Sequence, residues 1–262
     1  LGGHSLLAMR MVSQVRVRLG VELSLTELFA NPQLAAVAQV LAGAVGTALP
    51  AIVPVPHGQP LPMSFAQQRL WFLAQMEGGN QAYNVPLALG LRGPLDSAAL
   101  EGALLRIIER HQTLRSRFVA RDDSAEVVIA ATAGDGWFSC ETLAAEALPG
   151  RLQELAAAPF DLAHGPLLRA HVLSLGVQHH VLALTVHHIV ADGWSLGVLT
   201  HELSVQYAAV CNGRDDPLPP LAIQYPDYAV WQRRWLAGEQ LQRQVAFWQQ
   251  NLEGAPELLK LP

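Results

Sequence analysis

The sequence predicts a mixed α/β chain in two unequal parts, on three observations. Residues 1–43 read as short amphipathic helices, and residues 44–61 are dense in proline. From residue 62 onward, apolar runs rich in β-formers alternate with helical stripes. The expected fold class is α/β (α+β): a small helical piece, a Pro-rich linker, then a lobe with a mixed sheet and flanking helices.

In the first part, Ser5 precedes a stripe of Leu7, Met11, Val15 and Leu19, with Arg10, Gln14 and Arg18 on other faces. Gly20 stops that helix. Ser24 with Glu27 three residues later is a capping-box pattern that opens a second helix through Phe29. Asn31-Pro32 starts a third, with Pro32 suited to the first turn and Leu34, Val37, Val40 and Leu41 as its apolar face. Pro50, Pro54, Pro56, Pro60 and Pro62 then alternate with small residues, which gives a semi-rigid extended connection. The expected division is a helical domain over 1–43, a linker over 44–61 and a larger domain over 62–262.

In the larger part, residues 66–75 are predicted helical with Leu70, Phe72 and Leu73 inward. Residues 86–91 read as a strand, and 97–112 as an amphipathic helix through Leu100, Leu104, Ile107 and Ile108. Residues 126–130 are a strand; 141–148 and 151–158 are read as helical. Short turn residues separate 168–174 from 180–189, so those two are expected to be neighbouring strands. Residues 194–212 and 225–252 read as helices.

Composition excludes several classes. Of 262 residues, 51% are hydrophobic and 15% charged, which rules out a disordered polyelectrolyte. The net charge is −5 and the 17 basic residues are scattered, so no stripe for nucleic acid is present. Charges, Gly or Pro interrupt every apolar run before the roughly 18 residues a bilayer span needs, so no membrane partner is expected. The start carries no signal-peptide pattern. Cys140 and Cys211 are far apart and suit a reducing compartment, so a cytoplasmic location is expected. The chain opens inside a motif without an initiator Met and reads as a piece of something longer.

The chemistry concentrates at His187 to Gly193. Residues 181–186 are nearly all apolar, as in a strand covered on both faces. Side chains alternate along a strand, so His187 and His188 are expected on opposite faces. An imidazole with an ordinary pKa near ~6.5 suits proton transfer at neutral pH. His188 is the candidate to meet a nucleophile. His187 is expected to be pinned inside, donating to backbone and shaping the turn. Asp192 is expected to hold the turn through an ion pair, with Arg115 as one candidate partner. Gly193 is expected either to take a conformation closed to other residues or to let a substrate approach. Opposite-facing histidines cannot chelate one ion together, and His179-His180 lie at the far end of the same strand, so no metal is expected.

The run His187-His188-Ile189-Val190-Ala191-Asp192-Gly193 resembles the HHxxxDG core motif of nonribosomal peptide synthetase condensation domains, members of the chloramphenicol-acetyltransferase-like superfamily. Three further segments resemble family motifs in order. Ser64-Phe65-Ala66-Gln67-Gln68-Arg69-Leu70-Trp71-Phe72-Leu73 resembles the opening motif. Arg110-His111-Gln112-Thr113-Leu114-Arg115-Ser116-Arg117-Phe118 resembles RHExLRTxF, with Gln112 and Ser116 as departures. Tyr225-Pro226-Asp227-Tyr228-Ala229-Val230-Trp231 resembles YxDYAxW. These three are read as structural rather than chemical, Tyr228 and Trp231 as core packing. The match covers about residues 61–262, which corresponds to the N-terminal lobe of a two-lobed fold.

Leu1-Gly2-Gly3-His4-Ser5-Leu6 resembles the attachment motif of a peptidyl carrier domain, and residues 24–32 resemble its later part. A serine after a glycine-rich loop at a helix start suits an attached phosphate, through free N–H groups and the helix dipole, although N-capping is the commoner use of such a serine. The resemblance implies that Ser5 carries pantetheine 4'-phosphate, and that the carrier's first helix would precede Leu1.

It also implies a carrier-to-carrier reaction: a donor arm on Ser5 presents an acyl thioester and a downstream amine attacks it. His188 would orient the amine or take its proton, with His187, Asp192 and Gly193 in the same catalytic motif. The implied partners are upstream and downstream synthetase domains, donor and acceptor carrier domains and a phosphopantetheinyl transferase. An epimerisation domain shares HHxxxDG, but the carrier before one usually reads Gly-Gly-Asp-Ser, where this chain has His4. A heterocyclising subtype would replace the two histidines, and a dual epimerising-condensing subtype would add a histidine motif around residues 64–90. A docking lobe without turnover is the remaining alternative, and a single lobe is expected to be inactive alone.

Overall fold

The computed structural model describes residues 5–43, 50–56, 59–76, 81–122 and 124–256, and it divides into two compact units, Leu1–Ala51 and Ile52–Pro262. The smaller unit holds α1 (Ser5–Leu19), α2 (Leu25–Ala30) and α3 (Leu34–Gly43). Ser24 and Glu27 form the full capping box at α2: the Ser24 hydroxyl accepts from Glu27 N–H at 3.0 Å and Glu27 accepts from Ser24 N–H at 2.9 Å. Val15, Leu23 and Val37 form its core, with Met11, Val12, Leu28, Val40 and Leu41 packed around them. Leu7, Leu19 and Leu34, expected on apolar faces, are exposed. Three short helices bury one narrow seam, and these residues fall outside it.

The larger unit builds two sheets. β1 (Leu61–Pro62), β4 (Ser124–Ile129) and β3 (Ser116–Arg121) form a small antiparallel sheet in the order β1-β4-β3. The main sheet has the order β2-β7-β6-β5, from β2 (Asn84–Arg92), β7 (His179–His187), β6 (Leu168–Gly176) and β5 (Phe138–Thr142). It is mixed: β5 runs parallel to β6 and the other pairs are antiparallel. β6 and β7 are neighbours, as their short connection requires.

Helices cover both faces of this sheet, which explains the unbroken apolar run in β7. Leu182, Leu184 and Val186 join the main core with Leu100, Ala103, Leu104 and Ile107 of α5 (Ser97–Arg110) and Leu199 and Leu203 of α7 (Gly193–Cys211). The alternate residues Val181 and Ala183 pack with Leu152 and Leu155 of α6 (Leu148–Ala157) on the other face. Beyond these lie α4 (Phe65–Ala74), α8 (Tyr225–Trp235) and α9 (Gly238–Leu252).

Several expectations are corrected. Phe72 in α4 is exposed, whereas Leu70 packs on the core as expected and Trp71 joins it there. Glu141 and Thr142 end β5 rather than starting a helix, because pairing with Leu173 and Ser174 of β6 outweighs their local helical pattern. The 225–252 helix is two helices, broken at Leu236-Ala237 with Gly238 at φ +56°, a left-handed conformation that glycine takes without strain. No helix among the described residues is long and apolar enough to cross a membrane.

Candidate active site

The sheet sets the site through the end of β7. Pairing stops at His187, and His188 to Val190 form a turn before α7. His188 is therefore on the turn rather than in the strand, but its N–H still donates to Tyr83 O at 2.8 Å, so the strand's alternation carries one residue further. His187 is completely buried and His188 is exposed. The two rings face opposite ways, as period two requires.

His187 shapes the turn, with its hydrogen bond running opposite to expectation. Its Nδ1 accepts from Ile189 N–H at 3.1 Å, and its carbonyl accepts from Val190 N–H at 3.0 Å. An accepting Nδ1 places the proton of the neutral ring on Nε2. Burial, with a smaller contribution from His188, pushes the His187 pKa down to about 4, so the ring is neutral at pH 7. Phe160 stands edge-on to it, with ring centroids 6.0 Å apart.

Asp192 does not pair with Arg115. It is the N-cap of α7, where Oδ1 accepts from Ser195 N–H at 2.9 Å and from the Ser195 hydroxyl at 2.7 Å. Burial opposes the Asp192 charge, but the Ser195 hydrogen bonds and His188 outweigh it and hold the carboxyl below its ordinary value. Arg115 instead donates to the carbonyls of Ile108, Glu109 and Ala130, binding the end of α5 to β4. Opposite charges in a sequence do not fix a distance, and here a local cap satisfies the carboxylate first. Gly193, the first residue of α7, is not in a left-handed conformation. A Cβ added there would meet nothing within 4 Å. Of its two expected roles, the conformational one is ruled out and an open approach fits.

His188 lines a cavity of about 590 Å³ together with Asp192, Trp194, Gln67, His111 and Tyr228, among a mostly apolar set from α4, α5, α7 and α8. Tyr228 is thus a wall residue rather than core, and it stacks on Trp231 at 5.9 Å. Ser5 belongs to the other compact unit. α1 opens at Ser5 with no acidic side chain in its first turn, and residues 1–4 and the Ser5 side chain lie outside the described residues.

Residues 58–262 match the family model described as Condensation domain, and residues 1–41 match the one described as Phosphopantetheine attachment site. Over 269 residues the chain is 45% identical to malpinin synthetase of Mortierella alpina, covering all of this chain and 4% of that protein. It is 41% identical to the dimodular nonribosomal peptide synthase of Bacillus subtilis (strain 168), with 100% and 11% covered. The chain belongs to the condensation-domain family of nonribosomal peptide synthetases. It spans only a small part of these relatives. Among solved structures, the X-domain from teicoplanin biosynthesis is 35% identical with a TM-score of 0.75, over 81% of this chain and 48% of that one. The starter condensation domain of rhizomide synthetase, at 21% identity and a TM-score of 0.67 over 76% and 49%, shares the fold. The expected chloramphenicol-acetyltransferase-like architecture is the one present.

With the condensation-domain family in hand, its other motifs gain physical roles. Glu202 of α7 is buried and holds both Arg110 (Nε to Oε1, 3.2 Å) and His111 (Nε2 to Oε2, 2.7 Å), fastening α7 to the end of α5. Gln67 of α4 is buried and donates to Ile189 O at 3.3 Å, tying α4 to the turn after His187. Asp227 of α8 is buried and accepts from Val55 N–H at 2.9 Å and Gln224 N–H at 2.7 Å. Tyr225 shares a 2.9 Å hydrogen bond with Ser64. Sequence reasoning missed Glu202. Its only signal was an acidic residue in the otherwise apolar stretch of α7 opposite an Arg-His pair.

Proposed function

We propose that residues 62–262 form the amide-bond-forming lobe of a condensation domain, that residues 1–43 are the later part of a carrier domain, and that residues 44–61 link them. One observation carries the catalytic reading: of two adjacent histidines, His187 is buried neutral in the frame and His188 stands on the wall of the 590 Å³ cavity. A ring nitrogen of His188 accepts a hydrogen bond from the attacking amine N–H, leaving the amine lone pair free, and takes that proton as the C–N bond forms. It returns that proton to the sulfur released when the C–S bond of the thioester breaks. Positioning by the cavity walls and proton transfer by His188 share the barrier reduction. His187, Asp192 and Gly193 act through the turn: His187 folds it, Asp192 caps the helix behind it, and Gly193 leaves the approach open.

Ser5 fits covalent pantetheine 4'-phosphate, because a 15-residue helix begins there and no first-turn acid opposes a phosphate. When attached, the group supplies a flexible arm that carries the acyl chain as a thioester. The upstream and downstream carriers, the neighbouring synthetase domains and a phosphopantetheinyl transferase are the partners this reading requires, and the cytoplasm is its setting. His4, where epimerase-linked carriers have aspartate, favours condensation over epimerisation.

Replacing His188 by Ala in the intact synthetase is expected to lower amide formation by about 10²–10⁴-fold; unchanged product would remove the assignment. Treatment with coenzyme A and a phosphopantetheinyl transferase is expected to add the arm at Ser5 by mass spectrometry, and not in Ser5→Ala.

A second reading, docking without turnover, has one observation behind it: the similar X-domain is known in a complex with OxyB. Amide formation is expected from the two-lobed protein and not from this lobe alone. Its absence from both would favour docking.

A further inference from the structure

Two buried polar atoms on neighbouring strands beneath the His187 turn have no partner among the described residues. His187 Nε2 carries the ring proton, because Nδ1 accepts from Ile189 N–H, yet it has no acceptor among the described residues. Asn84 Nδ2 donates to Ala156 O at 2.7 Å and Ala158 O at 2.8 Å. Those two carbonyl partners fix the amide orientation, so Oδ1 faces the other way, buried and without a donor among the described residues. One atom lacks an acceptor and the other lacks a donor.

The register brings them together. Asn84 and His187 are directly opposite in the β2–β7 pair. Because His188 N–H bonds Tyr83 O, the Tyr83–His188 pair is the hydrogen-bonded one. The next pair, Asn84–His187, is then of the kind whose side chains approach most closely. Both side chains lie on the α6 face. Asn84 reaches the α6 end, and His187 continues the alternation of Ala183 and Thr185, whose hydroxyl donates to Leu155 O. Arg169 of β6, opposite Thr185, shares this face, and its Nε is a third buried atom without a partner among the described residues.

We propose that Asn84 is a positioning residue for His188: its Oδ1 is the acceptor that keeps the His187 proton on Nε2, so that Nδ1 stays free to accept Ile189 N–H and fold the turn. A single water that accepts from Nε2–H and donates to Oδ1 would let the amide oxygen act at this range, since buried polar groups nearly always find a partner in protein or ordered water. If the proton moved to Nδ1, that nitrogen would face the Ile189 N–H donor to donor, and the turn that aims His188 would open. The consequence for catalysis rests on the condensation reading given above; the tautomer does not.

The test compares Asn84→Leu, which removes the acceptor, with Asn84→Asp, which keeps one. Both lose the Nδ2 bonds to α6 and only Asp keeps an acceptor at the Oδ1 position. Because Asp also adds a charge, the tautomer in the variants that lack the acceptor is the deciding readout. In the ¹⁵N-histidine-labelled chain at pH 7, wild type and Asn84→Asp are expected to show His187 protonated at Nε2, and Asn84→Leu a mixed or Nδ1-protonated ring. Should the Leu variant fail to fold, Asn84→Ala removes the same acceptor. In the intact synthetase, Asn84→Leu is expected to lower kcat about tenfold or more with KM nearly unchanged, and Asn84→Asp to recover most of it. Identical His187 signals in wild type and in the variants lacking the acceptor would overturn the inference. The expected tautomer contrast together with a wild-type synthetase that forms no amide would uphold it and remove the condensation reading instead.

Discussion

The frame under the motif turn and the cavity wall above it are built from adjacent residues and obey different rules. In the frame, Asp192, Glu202 and Gln67 spend their polar groups on fixed internal partners: a helix cap, an arginine-histidine clamp and a turn carbonyl. Glu202 and Gln67 are buried and need such partners, and Asp192, though exposed, spends its carboxylate on the cap, so substitutions at all three are expected to act on folding. His188 stands on the cavity wall, and Gly193 beside it is exposed with room around it. Substitutions there are expected to act on chemistry. One strand end serves both purposes because consecutive side chains must part.

The largest effect expected in the frame is from Glu202→Ala. It leaves the largely buried Arg110 without its counter-charge, and the loss should approach about 3 kcal/mol by urea unfolding. A loss under 1 kcal/mol would show that the clamp is solvated and the frame looser than described.

Next comes the pH dependence of His187. Its folded pKa of about 4 lies below the ordinary ~6.5, so as pH falls the unfolded chain takes the proton first. This contribution to stability is complete above about pH 6.5 and is lost as pH drops toward 4, by up to about 3 kcal/mol. Comparing wild type with His187→Gln between pH 7 and 4.5 should show the steeper loss of stability in wild type, the half-buried His171 contributing the same slope to both.

Asp192→Ala removes a helix cap and should cost about 0.5–2 kcal/mol, while Asp192→Asn retains most of it. Retention by Asn distinguishes a cap from an ion pair, which Asn would also break. The smallest stability effect should come from Gly193→Ala: with no left-handed backbone and no neighbour within 4 Å of the added carbon, melting should stay within about 0.5 kcal/mol. Any fall in amide formation by Gly193→Ala would then report a substrate passing close by.

Much of this division was legible in the sequence. The stripe of Leu100, Leu104, Ile107 and Ile108 defined α5, and the apolar run before His187 defined a strand covered on both faces. The opposite facing of the two histidines followed from period two alone. What escaped were long-range partners. Arg115 looked free for Asp192 because sequence shows charge without distance, whereas three carbonyls claim it and a serine three residues on claims the aspartate. Ser116–Arg121 and Phe138–Thr142 have too little apolar alternation to announce strands, and they form because a partner strand is present. Asn84 gave no signal, since its role depends on lying opposite His187.

The central claim is that His187 holds and His188 acts. It is tested most directly by measuring melting temperature and single-turnover amide formation together, in the intact synthetase, for His187→Gln and His188→Gln. The account predicts that His188→Gln melts within about 1–2 °C of wild type while losing nearly all transfer, and that His187→Gln melts measurably lower. Transfer surviving in His188→Gln, or equal destabilisation by the two changes, would contradict it.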